Sequence, residues 1–464
     1  MSARRFLHRS RVAAPAEAVY RWHARPGALE RLTPPWERVT VAERTGGIED
    51  GARVLLRVRL GPVSVRWLVE HRDHVAGRQF RDEQLKGPFS RWVHTHRFLS
   101  EAPEATLLED EIEYALPLDA LAGAMAGPFM TRKLGRLFAY RHAVTRGDIE
   151  AHRMASHAGS LRIAVTGSRG LVGSALVPFL TTGGHLVLRL VRGAAADPDA
   201  VRWDPASGVQ DLTRLDGVDA IVHLAGENIA ARRWTDAHKA AVRQSRVEGT
   251  RRLCEGLAAL PHPPKVLVAA SATGFYGDRG AEVLTEESPA GTGFLAEVCW
   301  EWEAATQAAE QAGIRVVHLR FGMILSPRGG ALGKMLLPFK LGAGGPAGSG
   351  RQYVSWVAID DAIGAVLHAL ATDDLRGPLN VVAPAPIANA EFARTLGRVL
   401  RRPAVIPLPA FAARLAFGEM ADALLLASAR VLPARLQASG YRFRFPDLET
   451  ALRHLLGRRE AGGN

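Results

Sequence analysis

The sequence predicts an α/β protein with a doubly wound parallel sheet, preceded by an α+β domain and followed by a small helical domain. Apolar runs alternate with helical stretches along residues 161–400, as in a parallel sheet that is covered by helices. The runs typical of its buried strands are residues 220–224, 266–270, 316–319 and 379–382. Before them, from about residue 5, short alternating strands lead into one long helix, predicted over residues 119–144.

Changes in composition divide the chain into four segments. Residues 1–150 form the first domain, and residues 151–160 are predicted to be a linker because the sequence there turns polar and small. The parallel sheet occupies residues 161–400. Residues 401–464 begin with a proline-broken stretch at Pro403, Pro407 and Pro409 and are predicted to form the small helical domain.

The bulk composition is that of a globular protein. The 464 residues are enough for about three domains, and 47% of them are hydrophobic. The net charge of +12 comes mostly from arginines scattered along the chain, so we expect no nucleic-acid partner. Neither a signal peptide nor a membrane span is predicted. The two cysteines are far apart in the sequence, so no disulfide is predicted. We expect a cytoplasmic protein.

A glycine-rich turn follows the apolar run of residues 161–165 and precedes a helical stretch. Such a turn binds a dinucleotide, because glycines permit the reversal, the approach of a pyrophosphate and close packing of helix on strand. The free N–H groups at the helix N-terminus also favour phosphates. The predicted cofactor-binding residues in this turn are Thr166, Gly167, Ser168, Gly170, Leu171, Val172 and Gly173.

The end of the next apolar run, residues 185–191, predicts which dinucleotide is bound. The run ends in Arg192, where an NAD-binding protein would have an acidic residue for the ribose 2′-hydroxyl. Arginine suits a 2′-phosphate instead. We therefore predict NADP(H) as the cofactor, against the alternative that Arg192 is only a solvated charge.

Further motifs connect this half of the chain to a known family. They are residues 223–228 (HLAGEN), 245–250 (SRVEGT), 271–277 (SATGFYG) and 319–322 (LRFG). Together they resemble the atypical and extended short-chain dehydrogenase/reductases, and among these the epimerase-like NADP-binding family often labelled nucleoside-diphosphate-sugar epimerase. The resemblance extends to about residue 455, including a C-terminal domain of unknown function. It implies that Leu224, Ala225 and Gly226 line the adenine and ribose side of the cofactor, with Glu227 close by.

The catalytic pair of that superfamily is missing from this chain. The superfamily uses a tyrosine as proton donor and a lysine four residues later, and none of the six tyrosines here is followed by such a lysine. On the helix that should carry the pair, the two positions fall at about Leu295 and Cys299.

The candidate catalytic residues are instead Ser271, Thr273 and Glu303. Alternatively, Ser271 caps a turn and Glu303 pairs with an arginine. Asp360 is predicted to be the N-cap of the helix that follows residues 356–358.

Alternation in the N-terminal domain places polar groups among aromatic ones. Every second residue of residues 80–84, 92–98 and 108–114 falls on one face of a sheet. If that face is interior, it predicts a ligand cavity lined by Asp82, Gln84, His94, His96, Asp110 and Tyr114. The alternative is a satisfied buried network that only fixes the core. A metal site formed by His94 and His96 with the two aspartates is a further alternative. The sequence has no matching spacing for a third ligand, so we predict no metal.

A strand-rich domain that ends in one long helix resembles the helix-grip fold of the polyketide cyclase and lipid-transfer superfamily. The matching residues are 80–82, 87–89 and 94–96. The resemblance implies a ligand-binding N-terminal domain.

Three functional hypotheses remain open from the sequence. The first is an NADP(H)-dependent oxidoreductase or epimerase that acts on a small molecule. The second is a non-enzymatic NADP(H) sensor or regulator, which the missing catalytic pair supports. The third is a carrier or cyclase for a hydrophobic ligand that binds in the N-terminal domain. The oligomeric state is not predicted.

Overall fold

The computed structural model describes residues 3–61, 63–117, 119–193 and 197–458. The chain divides into two compact units. The N-terminal unit comprises the described residues of Met1–Ser156, Thr181–Gly184 and His454–Asn464, and the C-terminal unit comprises those of His157–Leu180 and His185–Arg453.

In the described part of the N-terminal unit, seven strands form one antiparallel sheet with the order β1-β7-β6-β5-β4-β3-β2. The strands are β1 (Arg4–Val12), β2 (Val39–Thr45), β3 (Arg53–Leu60), β4 (Val63–Val75), β5 (Gln79–Lys86), β6 (Arg91–Ala102) and β7 (Ala105–Ala115). The helices are α1 (Ala16–Ala24), α2 (Ala28–Leu32) and α3 (Asp119–Met154). The long helix α3 and the sheet together give the predicted helix-grip arrangement.

The predicted alternation of buried residues is clear in β6, where Trp92, His94, His96 and Phe98 are buried and the residues between them are half-buried. In β7 it is not, because Glu109 and Glu111 are buried as well. Phe80, Phe98, Leu108 and Val144 lie in one core cluster of this unit. The register pairs Asp82 with His94 across β5 and β6, and His96 with Asp110 across β6 and β7. The polar residues of the three strands therefore meet on one face.

Helix α3 continues to Met154, so the predicted end at residue 144 is wrong. Its last turns are anchored by Asp148, whose carboxylate accepts two hydrogen bonds of 2.7 Å from the buried Arg31 guanidinium on α2. Ile149 is buried in the same core. Residues 151–154 of the predicted linker are therefore helical, and the boundary between the two units after Ser156 lies within residues 151–160.

The C-terminal unit alternates strands and helices. Its strands are β8 (Arg162–Thr166), β9 (Leu186–Val191), β10 (Ala200–Asp204), β11 (Gly208–Val209), β12 (Ala220–His223), β13 (Val266–Ala272), β14 (Val283–Leu284), β15 (Arg315–Phe321), β16 (Met323–Leu325), β17 (Tyr353–Val354), β18 (Trp356–Ala358), β19 (Gly377–Val381), β20 (Ile387–Ala388) and β21 (Arg430–Val431). Its helices are α4 (Gly173–Thr182), α5 (Asp236–Ala258), α6 (Phe294–Ala304), α7 (Gln307–Gln311), α8 (Gly330–Lys340), α9 (Ile359–Ala371), α10 (Asn389–Leu400), α11 (Ala410–Phe417), α12 (Glu419–Ala421), α13 (Ala434–Ala438) and α14 (Leu448–Leu455).

The main sheet has the order β11-β10-β9-β8-β12-β13-β15-β19, and its strands from β10 to β19 are parallel. The four predicted strand runs are confirmed as β12, β13, β15 and β19. The chain leaves β8 first towards β9 and later returns to β12 on the other side. This reversal of direction creates a crevice at the carboxyl ends of β8 and β12, where ligands bind in such folds.

The C-terminal segment is mostly helical, as predicted, and its strand β21 pairs with β14. The prediction that Asp360 is an N-cap is wrong, because α9 begins at Ile359 and Ala358 is its N-cap. Asp361 instead binds the segment before α14, since its carboxylate accepts hydrogen bonds from the backbone N–H groups of Arg444 and Phe445 at 2.7 and 3.0 Å. Burial raises the pKa of the Asp361 carboxyl to about 6.

Among the described residues, we find no helix that is both long and apolar enough to cross a membrane.

Candidate functional site

The glycine turn joins β8 to α4 with no room for larger side chains at two positions. A Cβ atom on Gly167, whose φ is +67°, would lie 2.8 Å from the carbonyl of Leu224. A Cβ atom on Gly173 would lie 2.3 Å from the carbonyl oxygen of Gly167. Gly170 is less constrained, because its Cβ would lie 3.2 Å from that same oxygen. Gly167 and Gly173 thus allow the turn to pack closely against the loop after β12 and against itself at the switch point, as in a dinucleotide-binding turn.

The other predicted turn residues differ in exposure. Ser168 is buried, whereas Leu171 and Val172 are half-buried. Thr166 is fully buried, and its hydroxyl oxygen accepts hydrogen bonds from the backbone N–H groups of Leu224 and Ala225 at 3.0 and 3.2 Å. The side chain of Thr166 therefore joins the end of β8 to the loop after β12.

The loop after β12 is held by two residues of α5 that sequence reasoning missed as site residues. The Ser245 hydroxyl oxygen accepts a hydrogen bond of 2.9 Å from the Glu227 N–H. Arg246 donates to the Glu227 carbonyl at 3.0 Å. Both belong to the motif of residues 245–250, and that motif was the available signal. The loop is thereby fixed with Gly226 exposed, and with Leu224, Ala225 and Glu227 half-buried.

Arg192 directly follows β9 and is exposed. Because β9 is the parallel neighbour of β8, Arg192 and the glycine turn follow adjacent strands at the same edge of the sheet. The structure thus brings the predicted 2′-phosphate residue to the edge at which the turn lies.

The three predicted catalytic residues lie at the ends of β13 and α6. The Ser271 hydroxyl donates a hydrogen bond of 2.6 Å to Glu303 Oε1. Glu303 also accepts two hydrogen bonds of 2.8 Å from the guanidinium of Arg320 on β15. The structure therefore shows the pairing with an arginine that was predicted as the alternative to a catalytic role for Glu303. Thr273 begins the short 3₁₀ turn Thr273–Tyr276 and is half-buried.

Arg320 is the centre of this network and was missed in the sequence. Its side chain is 4% exposed, its guanidinium lies 3.4 Å from the Phe275 ring centroid, and it donates to the Tyr276 hydroxyl at 3.0 Å. Burial opposes its charge, but hydrogen bonds to Glu303 outweigh burial and raise the pKa of Arg320. The guanidinium therefore keeps the Glu303 carboxylate paired, and that carboxylate orients the Ser271 hydroxyl.

The two positions expected to hold the superfamily's catalytic pair contact the same turn. A Cβ atom on Gly274 would lie 3.3 Å from Leu295 Cβ and 3.8 Å from Cys299 Sγ. Burial raises the pKa of the Cys299 thiol to about 12. Neither side chain can donate or accept a proton at neutral pH in the role of the missing pair.

In the N-terminal unit, a buried cluster joins three histidines to Asp110. His94 Nε2 lies 2.8 Å from Asp110 Oδ1, and His142 Nε2 lies 2.5 Å from Oδ2. His96 Nδ1 lies 2.7 Å from Oδ1. Sequence reasoning missed His142, because the helix α3 showed no pattern that pointed it towards the strands.

Asp82 adds a second carboxylate to this cluster. Its Oδ2 lies 3.4 Å from His96 Nε2 and 3.6 Å from His94 Nδ1, while His71 Nε2 of β4 lies 2.9 Å from Oδ1. Burial disfavours an imidazolium, but the Asp110 and Asp82 carboxylates outweigh it and raise the pKa of His96 to about 9. His71 was missed, although it lies directly opposite Asp82 in the register.

The two other predicted cavity residues lie outside the cluster. Gln84 donates a hydrogen bond of 2.7 Å to the Phe89 carbonyl, and Tyr114 packs with Trp92 and Phe138. A surface depression of about 640 Å³ on this unit is lined by residues 16–17, 76–79 and 97–100, and none of the six predicted residues lines it.

The parallel sheet, the glycine turn and the residues at its switch point define a dinucleotide-binding protein of the Rossmann class. Three family models match the chain. They are the NAD dependent epimerase/dehydratase family over residues 163–382, the polyketide cyclase/dehydrase and lipid transport family over residues 12–139, and a domain of unknown function (DUF1731) over residues 408–455.

The sequences of relatives identify the family. A Mycobacterium bovis protein named as an epimerase family protein is 44% identical over 290 residues, which cover 62% of this chain and 96% of that protein. The chain therefore belongs to the epimerase family, as the sequence motifs predicted.

Many solved structures are similar to this one, among them one from Corynebacterium glutamicum and one of a human protein. A protein from Corynebacterium glutamicum, described as a nucleoside-diphosphate sugar epimerase, is 35% identical with a TM-score of 0.80, and the match covers 97% of this chain and 90% of that one. The human epimerase family protein SDR39U1, solved with NADPH, is 38% identical with a TM-score of 0.59 and matches 64% of this chain and 99% of its own.

Proposed function

We propose that this protein binds NADP(H) at the glycine turn and acts as an oxidoreductase or epimerase on a small molecule. The observation that carries the cofactor assignment is the backbone cradle at Gly167 and Gly173, where a single added Cβ would collide with backbone. The NADPH in the structure of human SDR39U1 supports the same assignment.

The residues around the cradle have separate tasks in this proposal. The turn and the N-terminus of α4 bind the pyrophosphate, and Arg192 binds the 2′-phosphate through a charge-assisted contact. Leu224, Ala225 and Gly226 line the adenine and ribose side, with Glu227 beside them. Thr166 positions that loop through its two hydrogen bonds.

The bound cofactor would supply or accept a hydride, and side chains of this protein would donate or accept the accompanying proton. In the proposal Ser271 Oγ accepts a hydrogen bond from a hydroxyl of the substrate, because its own proton is donated to Glu303. The proton that the substrate loses on oxidation would thus pass through Ser271 to the Glu303 carboxylate, and it would return by the same route on reduction. Thr273 is the second hydroxyl at this edge. Arg320 acts as a positioning residue, because it fixes Glu303 with two hydrogen bonds.

The cofactor assignment is tested with Arg192→Asp. We expect NADPH affinity to fall by about tenfold to a hundredfold while NADH affinity stays unchanged, since only NADPH carries the 2′-phosphate. Arg376→Asp is the matched control, because Arg376 is exposed and lies just before β19, at the opposite edge of the sheet. Equal losses for both cofactors in Arg192→Asp, measured by isothermal titration calorimetry, would contradict the assignment.

A second candidate function is a non-enzymatic NADP(H) sensor. It is favoured by Leu295 and Cys299 at the positions of the catalytic pair and by the pairing of Glu303 with Arg320. Native mass spectrometry of gently purified protein would identify a bound cofactor and any second ligand. Transfer of deuterium from labelled NADPH to a carbonyl compound, lost in Ser271→Ala, would support the enzyme and exclude the sensor.

The carrier or cyclase hypothesis for the N-terminal unit is a separate proposal. It is supported by the match of residues 12–139 to the polyketide cyclase and lipid transport family.

Both cysteines are free and buried, which suits a reducing compartment such as the cytoplasm.

A further inference from the structure

We propose that the N-terminal unit binds one divalent transition-metal ion through Asp82, His94 and His96. One donor atom from each of these residues lies within 4.8 Å of the other two. The three come from adjacent strands, β5 and β6, and their register places Asp82 directly opposite His94. A sheet holds such a set rigidly, which a metal site requires.

The distances within the set fit metal ligands better than hydrogen bonds. The donor atoms His96 Nε2 and His94 Nδ1 lie 3.4 and 3.6 Å from Asp82 Oδ2, which is long for a hydrogen bond. Ligands at about 2.1 Å from a tetrahedral metal ion are separated from each other by about 3.4 Å. The two distances to Asp82 Oδ2 are therefore close to those between ligands of one metal ion, and one donor atom from each of the three residues lies within 4.8 Å of the others.

The other ring nitrogens support the same assignment. His94 Nε2 and His96 Nδ1 both lie within 2.8 Å of Asp110 Oδ1. Metal-binding histidines commonly place their second nitrogen against a carboxylate, which fixes the ring and makes the first nitrogen a better ligand. Here Asp110 serves both rings, so that His94 Nδ1 and His96 Nε2 remain directed to Asp82.

Asp82 itself has unused bonding capacity. Its Oδ1 atom is buried and makes no hydrogen bond within the part of the chain that the structure describes, although His71 Nε2 lies 2.9 Å away. Two carboxylates, the buried Asp110 and the half-buried Asp82, also need positive charge nearby. A divalent cation bound by Asp82, His94 and His96 supplies it.

The donor chemistry restricts the identity of the ion. Two imidazoles and one carboxylate suit Zn²⁺ or Fe²⁺, whereas Mg²⁺ and Ca²⁺ prefer oxygen ligands alone. Three protein ligands leave coordination positions open for water or for an oxygen of a bound molecule. The Asp82 side chain is 21% exposed, so those positions face the partly open side of the cluster.

The test is metal binding by the full-length protein after dialysis against a chelator. We expect the wild type to bind one equivalent of Zn²⁺ by inductively coupled plasma mass spectrometry. With Co²⁺ we expect visible d–d absorption, and X-ray absorption should show two imidazole ligands. Asp82→Asn and His96→Gln should each weaken Zn²⁺ binding at least tenfold. His74→Asn is the matched control, because His74 lies on β4 and contacts the Tyr20 hydroxyl outside the cluster.

Several outcomes would overturn the proposal. They are substoichiometric binding of both metals by the wild type, undiminished affinity in Asp82→Asn, or an equal loss in His74→Asn. Circular dichroism of each variant separates loss of the ligand from loss of the fold. If both cluster variants fail to fold, the Co²⁺ spectrum and X-ray absorption of the wild type decide the question alone.

Discussion

Replacing Arg320 with leucine should destabilise the C-terminal unit strongly. The guanidinium of Arg320 is buried, and it makes two hydrogen bonds of 2.8 Å to Glu303 and one of 3.0 Å to the Tyr276 hydroxyl. In Arg320→Leu the Glu303 carboxylate, 12% exposed, would keep, among the residues that the structure describes, only the Ser271 hydroxyl as a hydrogen-bond partner. Leaving one member of a buried ion pair alone costs about 3–5 kcal/mol. At about 2 °C per kcal/mol for a unit of this size, we expect the Tm to fall by about 6–10 °C.

The assay is differential scanning calorimetry of the wild type and the variants. The double variant Glu303→Leu with Arg320→Leu is the control, because removing both charges costs far less than removing one. We expect its Tm to lie closer to that of the wild type than to that of Arg320→Leu. The reasoning is refuted if the Tm of Arg320→Leu lies within about 2 °C of that of the wild type. It is also refuted if the Tm of the double variant falls by the sum of the decreases in the two single variants.

Two further predictions follow from single contacts. Gly173→Ala should weaken NADPH binding at least tenfold, because its Cβ would lie 2.3 Å from the Gly167 carbonyl oxygen; fluorescence titration would contradict this if the variant bound NADPH as tightly as the wild type. Burial raises the pKa of Asp361 from 3.8 to about 6, so the folded protein holds a proton that the unfolded chain releases first. Its contribution to stability is therefore full below about pH 4 and lost as the pH rises through about 6, by about 3 kcal/mol. Urea unfolding between pH 4 and 7 should show a slope that Asp361→Asn removes, and an unchanged slope in the variant would count against this assignment.

The sequence by itself determined the elements whose patterns are local. The four buried strand runs of the main sheet and the glycine turn were predicted because strand periodicity and the steric demands of glycine act over a few residues. The buried face that contains His94 and His96 followed from alternation in the same way. The epimerase family was also predicted from the sequence, because each of its motifs is a short run of neighbouring residues.

Only the tertiary structure decided which polar groups meet. Glu303 of α6 pairs with Arg320 of β15, and Asp148 of α3 pairs with Arg31 of α2. His71 and His142, which the sequence did not single out, contact Asp82 and Asp110. Asp360 was mistaken for a cap because its position alone suggested one, whereas the neighbouring Asp361 binds backbone far along the chain. The physical reason is that a buried charge must find a partner, and packing, not spacing along the chain, determines which partner lies within reach.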